Sequence, residues 1–254
     1  IQIADMRYNS LVIQSARAKV NYVGGRGTAQ AVLTGSSGVP FRLALNARLA
    51  PDDYLIAAQG QANGIAFKTA NPAHVLGRRG VYSLQPTRID FGKGTTAGSV
   101  RLAGSYGDNV TAAQARIDKL DLSILSAFSP GLGVSGQATG SVDFRQTGSA
   151  IPSADARLTI TNFRRTGIAA VSQAVNVEFV GKLLPDGGEA RALVKRGTTT
   201  VGRMVATLRP LPPGAGSWAT RLMQAPLAGG IRYNGPSATL FSLAALPNQQ
   251  LSGP

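Results

Sequence analysis

Apolar and polar residues take turns along almost the whole chain, and this period of two is what most constrains its fold. Phe41, Leu43 and Leu45 alternate with Arg42, Ala44 and Asn46. The rhythm returns at Ile65/Phe67, Ile89/Phe91, Val100/Leu102, Val142/Phe144, Leu158/Ile160, Val175/Val177/Phe179, Met204/Ala206/Leu208 and Ile231/Tyr233. Successive side chains of a strand project to opposite faces, so each stretch predicts a strand with one apolar side. Strands buried on both faces would read as unbroken Val/Ile/Leu runs. The alternation therefore predicts an all-β, antiparallel sheet that is apolar on one side. Thirty-one glycines and 14 prolines punctuate the chain, and each pattern is expected to last one mean strand, about 5–6 residues.

Three segments leave this rhythm. In "KLDLSILSAF" Leu122, Leu125 and Phe128 sit at helical spacing before Pro130-Gly131, which predicts a short helix. "GSWATRLMQAPL" predicts a helix capped by Ser217 and ending near Pro226. In "GPSATLFSLAALP" Pro236 leads an apolar run that Pro247 stops, a third short connector. "LLPDGG" at 183 predicts a hairpin, because Asp-Gly supports positive φ at low cost.

The chain is 43% apolar with a mean hydropathy of +0.04, which excludes a disordered polar tail. No window reaches the ~18 consecutive apolar residues of a membrane-spanning helix. It opens on Ile1 within an alternating pattern, without an initiator Met or a signal peptide, and is expected to be a section of a longer protein. Cysteine is absent, which rules out disulfides and thiolate metal sites and fits an oxidising compartment. Lys plus Arg number 26 against 12 Asp plus Glu, a formal net charge of +14. Such a surplus favours anionic partners, nucleic acid or phospholipid headgroups among them. The basic residues are scattered singly or in pairs, such as Arg78-Arg79 and Lys195-Arg196, and aromatics make up only 6%. The basic stripe with interleaved aromatics of a nucleic-acid binder is lacking, so nucleic acid is not an expected partner.

Catalytic patterns do not assemble. The single histidine, His74, has neither a second ligand nor a nucleophile elbow, and reads as a loop residue. "GKGTT" at 92 fails the P-loop pattern because Gly94 follows Lys93, and reads as a turn, as does "GGRG" at 24. Asp52-Asp53 after Pro51 reads as the start of a turn rather than an acid/base pair. The chain is therefore expected to be no enzyme and to hold neither metal nor cofactor.

A Leu-rich short helix, "GLGVSGQATGSVDF", a Pro-led "IPSADARLTITNF" and "APLAGGIRYNGPSATLFSLAALPNQQLSGP" occur together. This combination resembles the TamB family, long periplasmic proteins of Gram-negative bacteria related to AsmA-like, bridge-like lipid-transfer proteins. The likeness is clearest from about Lys119 to Phe163 and from Gly216 to Pro254. It implies an elongated sheet curled into a trough with an apolar interior, often called a β-taco, over 1–254. Repeat breaks are expected near 115–135 and 210–226. It further implies a parent chain anchored in the inner membrane and spanning the periplasm toward the outer membrane. Its role there would be in phospholipid transport and outer-membrane biogenesis, with the barrel protein TamA or nascent outer-membrane proteins as protein partners.

On this reading phospholipid acyl chains lie in a groove lined by Phe41, Leu43, Leu45, Val100, Leu102, Val142, Phe144, Leu158, Ile160, Val175, Val177, Phe179, Ile231 and Tyr233. Arg145 and Arg232 are candidate headgroup contacts. Three rivals compete with it. The same strands could close into a sandwich or barrel core that binds nothing, or form a scaffold that pairs with nascent outer-membrane strands. The third is a surface β-helical adhesin or carbohydrate binder, which the shortage of aromatics disfavours.

Overall fold

The computed structural model describes residues 2–8, 11–37, 39–92, 98–127, 133–165, 173–214 and 216–235. Sixteen strands form one antiparallel sheet, the all-β fold that the alternation predicts. The chain divides into two compact units, Ile1–Asp108 with Ala113–Leu132, and Asn109–Ala112 with Gly133–Pro254.

In the first unit come β1 (Gln2–Tyr8), β2 (Leu11–Val23), β3 (Arg26–Ser37), β4 (Pro40–Ala50) and β5 (Asp53–Ala62). Then follow β6 (Ile65–Thr69), β7 (Ala73–Arg78), β8 (Val81–Phe91), β9 (Ser99–Gly107) and β10 (Val110–Asp121), the last shared with the second unit. Neighbours in the chain are neighbours in the sheet, with one variation. β6 and β7 are two halves of one strand position, both pairing β5 on one side and β8 on the other. At the break the Ala58 N–H donates to Thr69 Oγ1 (3.1 Å), which donates back to the Ala58 carbonyl (3.3 Å). A hydroxyl thus takes over where the ladder is interrupted, and no backbone group of Ala58 is stranded.

The second unit runs through β11 (Val134–Thr147), β12 (Ser153–Arg165), β13 (Val175–Leu184), β14 (Gly187–Arg196), β15 (Thr199–Leu208) and β16 (Leu227–Tyr233), each paired to the next. Between β15 and β16 lies α1 (Trp218–Met223), where Ser217 caps the helix as its sequence predicts, accepting from the Thr220 N–H at 3.2 Å. Leu122–Ala127 forms a 3-10 turn with Leu122 and Ile124 buried. Phe128, residues 93–97 of the Gly-Lys-Gly stretch and 236–254, with the third expected helix, lie outside the described residues.

Most strands are longer than predicted, from 9 residues in β9 to 14 in β11. Glycine and proline do not end them, for two physical reasons. First, an aromatic ring fills the space above several strand glycines. A Cβ on Gly35 would lie 2.3 Å from the Val12 carbonyl oxygen and 2.9 Å from the ring of Phe41 on the paired strand, and one on Gly60 would lie 2.3 Å from the Arg42 carbonyl oxygen and 2.7 Å from the ring of Phe67. On Gly181 it would meet Phe179 Cζ at 2.9 Å, so Phe179 rests on its own strand. The glycine removes a side chain that the ring replaces. Second, proline and extra residues enter at bulges. The β8–β9 register shifts between Leu84 and Thr87, around Gln85-Pro86. The β12–β13 register shifts between Ile160 and Phe163, where Asn162 takes φ 53° and its N–H donates to Asn176 Oδ1.

Several turns follow their residues. Gly24-Gly25 and Asn63-Gly64 have both central φ angles positive (60° and 81°, 49° and 77°), the two-residue turn whose twist matches the strands. The "LLPDGG" hairpin forms, but on a different pair from the one expected. Leu184 opposes Gly187, so Pro185-Asp186 make the turn, and neither Asp186 nor Gly187 takes a positive φ. Pro at the first central position with Gly closing the turn supplies the geometry instead.

Since only the Phe179 ring meets a Cβ on Gly181 at less than 3.1 Å, Gly181→Ala should lower stability by about 1–2 kcal/mol. In a Phe179→Leu background most of that loss should vanish, a coupling that a double-mutant cycle of thermal melts reads directly.

Candidate functional site

Antiparallel register lines up the alternating residues of the second unit into rows across six strands. Ala138, Ile160, Val177, Val194, Gly202 and Tyr233 stand abreast. Beside them run Gly140, Leu158, Phe179, Ala192, Met204 and Ile231, then Val142, Ala156, Gly181, Ala190, Ala206 and Gly229. Phe144, Ala154, Leu183, Gly188, Leu208 and Leu227 complete the set. Every position of the four rows is apolar or glycine, and the one polar atom is the Tyr233 hydroxyl. By strand spacing and rise the face measures roughly 24 Å by 20 Å.

The opposite face carries the charges, with Val180 and Val205 exposed among them. Lys195 pairs with Glu178, Arg157 with Asp155 at 3.4 Å, and Arg191 with Glu189 at 3.6 Å. These pairs are partly or mostly exposed and contribute little to stability. They mark which side meets water.

Among the described residues the apolar rows are covered unevenly. Ala138, Val175 and Ala192 are buried, but Leu158, Val177, Phe179 and Met204 stay partly open. On the outermost strand Ile231 is 67% and Leu227 75% exposed.

In the first unit the sequence-derived residues likewise share one face. Phe41, Leu43 and Leu45 stand in rows with Gly35, Leu33 and Ala31 on one side and Ala62, Gly60 and Ala58 on the other. Phe67 and Phe91 continue this side with rings 6.4 Å apart, and Val100 opposes Ile89. Leu102 opposes Thr87 past the bulge. In the second unit Val142, Phe144, Leu158, Ile160, Val177, Phe179, Ile231 and Tyr233 all fall in the four rows, and Val175 continues them opposite Phe163. Arg145 and Arg232 project from the other side, opposite Ser153 and Arg203, each within two residues of a strand end.

Two features departed from or escaped the sequence reading. His74 is not in a loop. It belongs to β7, opposite Leu55, and its Nε2 lies 2.8 Å from Asp53 Oδ1 on the polar side. The surrounding "NPAHVLGRRG" hid a six-residue strand because β6 and β7 split one strand position. Asp52 does sit in a turn, with φ 56°. The tyrosines were missed. Tyr22, Tyr54, Tyr82 and Tyr106 each stand two residues from a hairpin turn, at Gly24, Asp52, Gly80 and Asp108. Registry puts all four on the apolar side, at the same end of their strands. Tyr54 and Tyr82 rings lie 6.3 Å apart, and Tyr106 is 69% exposed. The constant two-residue offset was the legible signal.

Among the described residues no three His, Asp or Glu side chains are placed to hold a metal ion. No protein-family model, no curated protein and no solved structure matches the chain.

Val175 is 3% exposed, so Val175→Ala should cost about 2 kcal/mol. Ile231, in the same face but 67% exposed, should cost less than about 0.5 kcal/mol on replacement by Ala. Denaturant melts of the two variants check the difference, and equal losses would mean that the face is covered.

Proposed function

We propose that the chain is a non-enzymatic carrier that shields phospholipid acyl chains along its apolar face, the role that its resemblance to the TamB family implies for a periplasmic protein. The observation that carries this reading is the unbroken run of apolar rows, much of which stays partly or largely exposed among the described residues. Exposed apolar surface of this kind favours an apolar ligand laid against it. An acyl chain of ~16 carbons laid along it recovers on the order of 10 kcal/mol of transfer free energy. The lining is uniform and holds no charge, so a chain can slide along the rows without a deep trap.

The ends of the strands suit a boundary between oil and water. Tyrosine presents an apolar ring and a polar tip, and the four tyrosines of the first unit are placed where a headgroup would leave the face. In the second unit Arg145 and Arg232 lie on the polar side near opposite strand ends, where each is suited to a phosphate beside the rim of the sheet.

A second reading rests on β16. Among the described residues its outer edge pairs with nothing, and Leu227 and Ile231 are exposed along it. Such an edge can receive another strand, which supports a scaffold for nascent outer-membrane proteins. Cross-linking from position 230 to an unfolded porin tests that reading, and no adduct is expected if β16 does not accept strands.

For the carrier, lipid extraction and mass spectrometry of the purified protein should find phospholipid. Phe179→Asp with Leu158→Asp should reduce uptake of a fluorescent phospholipid at least tenfold. Charge reversal at Arg145 and Arg232 should weaken uptake of anionic lipids only. Undiminished uptake by the double Asp variant would remove the apolar face from consideration.

A further inference from the structure

The polar side of β2, β3 and β4 differs in kind from that of the second unit. These three adjacent strands contain no Asp or Glu, yet carry Arg17, Lys19, Arg26, Arg42 and Arg48. Register puts all five on the same side. Arg17 stands abreast of Val32 and Ala44, Lys19 of Gln30 and Asn46, and Arg48 of Thr28 and Asn21. Arg42 faces Thr34, and Arg26 faces Val23. None of the five has a hydrogen-bond or ion-pair partner among the described residues. In the second unit Glu178, Asp155 and Glu189 answer the cations instead.

The same side is hollowed. Two open depressions, of about 350 and 320 Å³, share Gln30 and Asn46 in their linings. Arg17 and Lys19 border the first and Arg48 the second, with Ala44, Ala57 and Leu55 among the lining residues. Uncompensated like charges gathered on one side repel one another, and that repulsion is relieved when an anion arrives. The amides of Gln30 and Asn46 can donate to a phosphate between the cations.

We propose that this side of β2–β4 docks on the surface of a bilayer containing anionic phospholipid. The charges are spread over three strands rather than strung along a track, which matches a surface of many headgroups. No aromatic side chain stands on this side of the three strands, so it offers no platform for stacking bases. The acyl-binding face is the opposite one, and the two ideas stand or fall separately.

The test is co-sedimentation of the full chain with vesicles of phosphatidylcholine alone and of phosphatidylcholine containing phosphatidylglycerol. Each cation near an anionic surface is expected to strengthen partitioning about fivefold. Arg17→Gln with Lys19→Gln should therefore weaken binding to the phosphatidylglycerol vesicles about 25-fold. Lys182→Gln with Arg203→Gln, the same charge change in the second unit, should weaken it far less. Added salt should release the protein. Far-ultraviolet circular dichroism and thermal melts of the same samples should not change and report that the fold is intact. Equal losses from the two pairs, no preference for phosphatidylglycerol, or binding of duplex DNA in place of vesicles would each overturn the proposal.

Discussion

Cross-strand pairing at fixed register is the constraint from which the other features descend. Once Ile160 stands opposite Val177, and Val177 opposite Val194, the side to which every other residue of those strands turns is decided. Alternation in one strand becomes a row across six, and a row becomes a face. A slip of one residue would turn the whole oily set into water. The Asn162 bulge illustrates the tolerance of the scheme: an extra residue is absorbed, and Phe163 still arrives opposite Val175.

A sheet whose apolar rows stay partly exposed among the described residues has to keep its own surface regular. The glycine–aromatic pairs achieve this locally. Phe41 over Gly35, Phe67 over Gly60 and Phe179 over Gly181 fill a gap with a ring from the same or the next strand. The apolar face is thereby smoothed and partly shielded while remaining accessible. The polar sides use charge in two ways. One is self-neutralising, with carboxylates beside guanidinium groups, whereas the side of β2–β4 leaves its cations unanswered.

The all-β class, the sharing of a face by the alternating residues and the Ser217 cap were legible in the sequence, because each depends on neighbours two to four residues apart. Strand length was not. Gly35, Gly60 and Gly181 look like breaks until the ring that sits on each is known, and those rings come from pairing or from the pleat. The assignment of His74 to a loop failed for a related reason. Nothing near "NPAHVLGRRG" says that β6 and β7 are halves of one strand position, since that emerges only when β5 and β8 are found on both flanks. The cationic side was hidden in a different manner: its five residues are scattered over 32 positions of sequence, from Arg17 to Arg48, and converge only through register.

Within each unit the order of strands along the sheet follows the order along the chain. Most hydrogen-bonded partners are therefore close in sequence, and a newly added strand finds the previous one already waiting at its edge. Contacts of such low separation close small loops, with little entropy lost before pairing begins. Folding can then advance hairpin by hairpin in the direction of emergence from a ribosome or a secretion pore, without waiting for the far end of the polypeptide.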